Sequence, residues 1–155
     1  MKKILRSLLL AGTAILVTCC CSHTQFNMAF QQKKSSSTIT VDIVAANKLG
    51  QEGLVDVDKH FKGNNLEPAD YKRIKLNGDT KAFRISKKDP LWDTAWKKAR
   101  KLYVIANLPD AFGKNRNKDC QVIIPLKSCN WKGVDEIVVN ISNSQVTLKQ
   151  APKLD

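Results

Sequence analysis

Thiols, a pair of aspartates and two histidines are the residues of this 155-residue chain whose types and spacing could do chemistry. Cys19, Cys20 and Cys21 are adjacent, and a thiolate is a strong nucleophile that accepts a covalent group readily. Cys120 and Cys129 flank QVIIPLKS and could bridge, exchange electrons or bind a metal. No CxxC is present, and the histidines are His23 and His60 alone, which disfavours the last two uses. Asp56 and Asp58 are two apart and would share one face of a strand, where paired carboxylates can do acid–base work or hold a cation. The plainer account of them is the polar face of a half-exposed strand. The chain has no G-x-S-x-G, no H-E-x-x-H and no glycine-rich phosphate loop. We expect no enzyme, no cofactor, no metal and no small-molecule substrate. A hydrolase using Asp56 or Asp58 is the dissenting possibility.

The elements around the cysteines give them a setting. Lys2, Lys3 and Arg6 precede an uncharged apolar run from Ser7 to Val17. A basic start followed by such a run is the layout of a secretory signal. The run is short of the roughly 20 apolar residues that a spanning helix needs. It ends Leu16-Val17-Thr18-Cys19-Cys20-Cys21-Ser22, which resembles the lipobox of bacterial lipoproteins. In that family the signal is cut just before a cysteine that carries diacylglycerol. Cys19 would have Leu16 at −3 and Thr18 at −1. Cys20 would have Val17 at −3, Thr18 at −2 and Cys19 at −1. Cysteine is close to serine in size, which tilts the choice to Cys20 and leaves Cys19 and Cys21 open. The resemblance implies a palmitate-bearing, lipid-anchored protein facing the periplasm. Neither Cys21 nor Ser22 is the aspartate that favours retention at the inner membrane, so the outer membrane is expected. An exported chain meets oxidising conditions, so Cys120 and Cys129 are expected to form a disulfide. Closing so short a loop would stabilise by about 2–3 kcal/mol.

The expected organisation is a signal peptide over 1–19, a flexible tether over 20–37, one domain over 38–150 and a tail over 151–155. The tether expectation rests on the polar, Ser-ending stretch SHTQFNMAFQQKKSSS, which would reach about 20–25 Å as a coil. Strands are expected at Thr38–Ala46, Leu54–Phe61, Thr80–Ser86, Tyr103–Leu108, Gln121–Leu126, Val134–Ile141 and Gln145–Leu148, from period-2 alternation and β-branched residues. Pro125 marks an edge. Pro68 suits the start of one or two helical turns over Glu67–Ile74. Asp89 and Pro90 open an amphipathic helix whose Leu91, Trp92, Ala95, Trp96 and Ala99 recur at helical spacing. Its Trp face could cover a core or lie on a membrane. The fold class that follows is mainly β: a small antiparallel sandwich with one inserted amphipathic helix.

Net charge is +12 for the whole chain, and removal of Lys2, Lys3 and Arg6 leaves +9. Basic runs can mean nucleic acid, but an exported protein does not meet it. A basic solvated surface is the plainest account, and an anionic membrane or acidic partner is the other.

The ordered pattern of the mature chain resembles the TssJ family, the outer-membrane lipoproteins of type VI secretion. TITVDIVAANKLG is similar to the family's first strand and the loop after it. LVDVDKHF and LEPADYKRI are similar to its second strand and the segment that follows. LNGDTKAFRI, KLYVIANLPD, VIIPL and EIVVNISNSQVTL match the later strands in order. The family pattern has a Tyr-Gln-Leu end to the second strand where this chain has Asp58-Lys59-His60-Phe61, and it lacks both the Cys120/Cys129 pair and the Trp-rich segment. The resemblance implies a transthyretin-like sandwich that binds the periplasmic domain of the inner-membrane protein TssM. It also implies that Asn47, Lys48, Leu49, Gly50, Gln51, Glu52 and Gly53 form the partner-binding loop. Other lipid-tethered binders, a secretin pilotin or an enzyme inhibitor, are the alternative.

Overall fold

The computed structural model describes residues 22, 24–33, 37–49, 53–63, 66–78 and 82–153. The expected signal peptide, the Cys19–Cys21 cluster and positions 50–52 of the expected loop lie outside them.

Two four-stranded sheets face each other. One has the order β4-β1-β7-β8 and the other β3-β2-β5-β6. The strands are β1 (Asn27–Gln32), β2 (Ile39–Ala45), β3 (Tyr71–Leu76), β4 (Phe83–Ile85), β5 (Lys101–Asn107), β6 (Gln121–Pro125), β7 (Glu136–Ile141) and β8 (Val146–Leu148). Short helices α1 (Ala46–Leu49), α2 (Val57–Gly63) and α3 (Arg116–Asp119) decorate the second sheet's connections. The core is built from alternating side chains of both sheets, including Met28, Phe30, Val139 and Ile141 on one side and Ile39, Ile43, Leu76 and Ile124 on the other. A sandwich is therefore the architecture, as alternation in the sequence predicts.

Four expectations are corrected. The expected tether contains β1, a central strand whose Met28, Ala29 and Phe30 are fully buried. It pairs with β4 on one side and β7 on the other. The β1–β7 pairing is parallel, so the sandwich is not wholly antiparallel. Residues 54–61 do not form a strand. Asp56 accepts a hydrogen bond from the Lys59 amide at 3.0 Å, and its own carbonyl accepts from His60 N at 2.9 Å. That is an N-cap, and it starts α2, which buries Val57 and His60 three apart. The helical turn after Glu67 stops at Asp70, and β3 takes over from Tyr71 because six residues pair with β2.

The expected Trp helix keeps its buried face but not its regular form. Asp89 caps it by accepting from Leu91 N at 3.0 Å. The amides of Trp92, Asp93, Thr94, Lys97 and Ala99 then bond three residues back, the spacing of a 3₁₀ turn. The 3₁₀ segment proper is Pro90–Trp92, and Lys98 has φ +61°. The chain must pass from β4 in one sheet to β5 in the other, so a long straight helix has no room. Trp92, Ala95, Trp96 and Ala99 still enter the core, with the two indoles edge-on at 5.1 Å.

Candidate functional site

The connection from β2 to β3 is the longest excursion on the outer side of the second sheet, and it includes most of the expected partner-binding loop. Its described residues run through α1, Gly53 to Asp56, α2 and the 3₁₀ turn Pro68–Asp70. Asn47, Lys48 and Leu49 form α1 rather than open loop. Leu49 packs against the core, and Lys48 pairs with Asp70 at 2.6 Å. That lysine holds the half-buried Asp70 carboxyl below its ordinary pKa through their hydrogen bond. Gly53 has φ +97°, a conformation that glycine adopts without strain.

From Gly53 onward the backbone is gripped by polar side chains. Gln121, at the start of β6, accepts from Val55 N at 2.9 Å and donates to Val55 O at 2.8 Å. A side-chain amide that matches both backbone groups of one residue replaces a strand partner. Asn117 of α3 accepts from Val57 N at 3.0 Å. Arg116 donates to Asp58 at 2.9 Å and, on its other nitrogens, to the carbonyls of Leu108 and Ala111 and the side chain of Asn107. Asp56 caps α2 and Asp58 meets Arg116, so the two carboxylates have separate structural partners and do not converge. Among the described residues no cluster of three metal-ligating side chains exists.

Beneath α2 lies a triad of ionisable side chains. Asp42, in the middle of β2, is fully buried. Arg73, its register partner on β3, donates Nε and Nη2 to the carboxylate at 2.7 Å each. His60 of α2 lies 2.9 Å away through Nε2. Burial alone would raise the Asp42 pKa, but the hydrogen bonds and charges of Arg73 and His60 outweigh it and hold the carboxyl below its ordinary value. The Arg73 guanidinium is raised by the same hydrogen bond and lies over the rings of Tyr71 and Phe61 at 5.1 and 5.8 Å. Its outer side is open to solvent. The triad has the residue types of a relay, and both of its pairings run to the Asp42 carboxylate. Its geometry fastens α2 to the sheet.

What this leaves free is a tip. Leu54 is 54% exposed, and it stands between Gly53 and the clamped Val55. Phe112 is 75% exposed in the segment that Arg116 ties down through Ala111 O. These are the large hydrophobic side chains left in solvent among the described residues. Sequence reasoning did not find Asp42, Arg73, Asn117, Gln121 or Arg116. One signal was available: an aspartate in the middle of the apolar run TITVDIVAA needs a buried partner.

The expected Cys120–Cys129 bridge is not formed. Cys120 is a free, buried thiol, raised in pKa by that burial. Between the two cysteines β6 runs extended for five residues. At about 3.3 Å per step that separates its ends by about 13 Å, and a bridge tolerates a Cα separation of no more than about 7 Å. Cys129 is nonetheless disulfide-bonded.

No family model matches the chain, and no curated protein matches it by sequence. Solved structures do match by shape. Serratia marcescens Lip, a membrane-bound component of the type VI secretion system, aligns with a TM-score of 0.50 and 15% identity, over 86% of this chain and 100% of that one. A chain of a type VI membrane complex aligns with a TM-score of 0.54 and 13% identity, over 83% of this chain and 100% of that one. At such identities the likeness speaks for fold. The chain has a sandwich fold similar to that of these type VI secretion proteins.

Proposed function

We propose that this protein is a lipid-anchored, TssJ-like subunit of a type VI secretion membrane complex. The lipid, on Cys20 or Cys19, holds it to the outer membrane. The sandwich faces the periplasm and binds the periplasmic domain of a TssM-like inner-membrane protein through the β2–β3 excursion. The observation that carries this reading is the shape match, which covers the whole of both type VI chains. The lipobox-like end of the leader supports the anchor, since one acyl chain alone binds membranes marginally and lipoprotein processing adds more. The excursion supports the contact. Its backbone is held at Val55 and Val57, and its side chains at Asp58 and His60, while Leu54 is left in solvent. A rigid frame with one free apolar residue loses little entropy on binding.

The test is co-purification from detergent-solubilised membranes of full-length protein with a TssM-like periplasmic domain. A second sample carries residues 50–54 replaced by Gly-Ser. Capture by the native chain and its loss in the replacement are expected. Equal capture by both would remove the contact from the excursion, and no capture by either would overturn the type VI assignment. Palmitate incorporation into Cys19→Ser and Cys20→Ser variants locates the lipid.

A further inference from the structure

Six cations gather at one end of the sandwich. Lys97, Lys98, Arg100 and Lys101 lead into β5, and Lys127 and Lys132 follow β6. The two stretches are side by side. Lys101 pairs with Pro125, and Leu126 N donates to Arg100 O at 2.9 Å. Trp131 donates Nε1 to Pro125 O at 2.6 Å, which ties the turn before Lys132 to the same place. All six residues are exposed. Among the described residues, none of them has a carboxylate within ion-pair distance. No acidic residue occurs from Thr94 to Lys101 or from Cys120 to Val134. Like charges gathered in this way repel one another until an anion meets them. Lys98 adds to that cost, because it holds φ +61° where a glycine would be less strained.

The leader joins the domain at the same end. Ser22, the described residue nearest to it, accepts at its carbonyl from Ser128 N at 3.0 Å, and Thr24 N donates to Leu126 O at 3.2 Å. Exposed Lys127 stands between those two contacts. A lipid on Cys19 or Cys20 would be two or three residues from Ser22, and three residues of chain span at most about 11 Å. Charges act over about 8 Å at physiological ionic strength, so an anchor that short brings these cations within reach of lipid headgroups. We propose that this basic end is a second membrane contact, lying against the phosphate groups of an anionic lipid surface beside the lipid anchor. For its proximity the contact rests on the lipoprotein reading, not on the type VI assignment. Ammonium and guanidinium groups pair with phosphate through charge-assisted hydrogen bonds, and each lysine or arginine near an anionic surface strengthens binding about fivefold.

Two attachments at one end fix an orientation that a lipid alone would leave free. β5 carries the chain from Lys101 to Asn107, about 20 Å away at about 3.3 Å per step. Its far end lies with Gln121, which pairs with Ile105 and holds the backbone of Val55. Leu54 precedes Val55, and Phe112 follows the far end of β5, so these two exposed side chains belong to the end away from the cations. With the basic end on the membrane, they face away from it, toward a partner that reaches across the periplasm.

The test uses full-length protein with Cys19→Ser, Cys20→Ser and Cys21→Ser combined, so that no lipid is attached and the leader is the same in every sample. Its partitioning onto phosphatidylcholine vesicles containing phosphatidylglycerol is divided by its partitioning onto phosphatidylcholine alone. One variant neutralises the patch (Lys98→Gln, Lys101→Gln, Lys127→Gln), and a second removes the same charge away from it (Lys59→Gln, Lys114→Gln, Lys118→Gln). At about fivefold per charge the ratio should fall about a hundredfold in the first and less than about threefold in the second, and high salt should abolish the difference. Lys98→Gly alone should lower the ratio about fivefold while raising the melting temperature, because it removes a charge and relaxes the left-handed backbone. Equal losses in the two triple variants, or no preference for anionic vesicles when the patch is intact, would overturn the proposal. A patch variant that binds vesicles normally but loses capture of the TssM-like domain would do so as well, since it would give the cations to a protein. Palmitate incorporation into the single cysteine variants reports the anchor separately, so failure of the lipoprotein reading and failure of the patch are told apart.

Discussion

Two long connections in this sandwich are secured by opposite means. The passage from β4 to β5 crosses between sheets and is sealed by apolar burial: Trp92, Ala95, Trp96 and Ala99 enter the core. The excursion from β2 to β3 stays on one sheet and is pinned by polar side chains. Gln121, Asn117 and Arg116 hold its backbone and its Asp58, and the Asp42–Arg73–His60 triad holds α2. Apolar burial is non-directional and hides what it secures. Hydrogen bonds fix a backbone in place without covering the outward side chain. The excursion can therefore be both rigid and available, while the Trp passage can only be rigid.

That contrast predicts a ranked set of losses. Trp96→Ala should cost the most, about 3–5 kcal/mol in urea unfolding, because a fully buried indole leaves a cavity. Any loss of partner capture in this variant should track the unfolded fraction. Asp42→Ala comes next, at about 3 kcal/mol, since it strands His60 and half-exposed Arg73 without their shared carboxylate. Here hydrogen exchange should rise in α2 while the Trp passage stays protected. A uniform rise across the molecule would refute the separation of the two regions.

The triad also sets the sign of a pH effect. The folded-state pKa of Asp42 lies below its ordinary value of 3.8. Its contribution is fully present above that value and is lost as pH falls through the lower, folded-state value. Wild-type unfolding free energy should therefore fall steeply with acid below about pH 4, where the ordinary carboxyl begins to bind protons. Asp42→Asn should start lower and show a flatter acid limb. Parallel acid limbs would mean that the carboxylate is not what holds α2.

The same contrast explains what was legible in the sequence. The strands β2, β4, β5, β6, β7 and β8 were visible because period-2 burial is written into their side chains. The Trp positions were visible too, although spacing alone could not tell an α-helix from a run of 3₁₀ turns that must cross between sheets. β1 was missed because its partners lie far along the chain. β4 is some fifty residues on and β7 more than a hundred, and the flanking polar residues and serines look like linker. The alternation of Phe26, Met28 and Phe30 was its only local mark. α2 was misread because Val55 and Val57 alternate like a strand, whereas the deciding contacts are an Asp56 cap and a histidine that faces a buried aspartate. Polar clamps of this kind pair residues 18 to 66 apart in sequence, and no periodicity announces them. The cysteines failed for a related reason: their proximity in sequence hid the extended strand between them.

Gln121→Ala tests the clamp with less disturbance than Asp42→Ala. It leaves Val55 N and O without partners at a buried position and should cost about 1–3 kcal/mol. Partner capture should weaken through a larger entropy cost, visible as a slower association and restored in part by a Gln121→Glu variant that can still accept from Val55 N. Equal capture by Gln121→Ala and wild type would show that the frame around Leu54 need not be rigid.

The smallest structural effect should carry the largest functional one. Leu54 is more than half exposed, and a substitution there touches no cap, cavity or clamp. Leu54→Ser should change unfolding free energy by no more than about 0.5 kcal/mol. If the excursion binds a partner, the same change removes an apolar anchor worth about 1–2 kcal/mol, or about tenfold in affinity. Phe112→Ser is the paired control. Its segment is fastened to the same Arg116, yet it belongs to the connection between β5 and β6. Loss in Leu54→Ser alone would confine the contact to the β2–β3 excursion. Loss in both would extend it across Arg116 to the neighbouring connection, and loss in Phe112→Ser alone would move the binding surface off the excursion altogether.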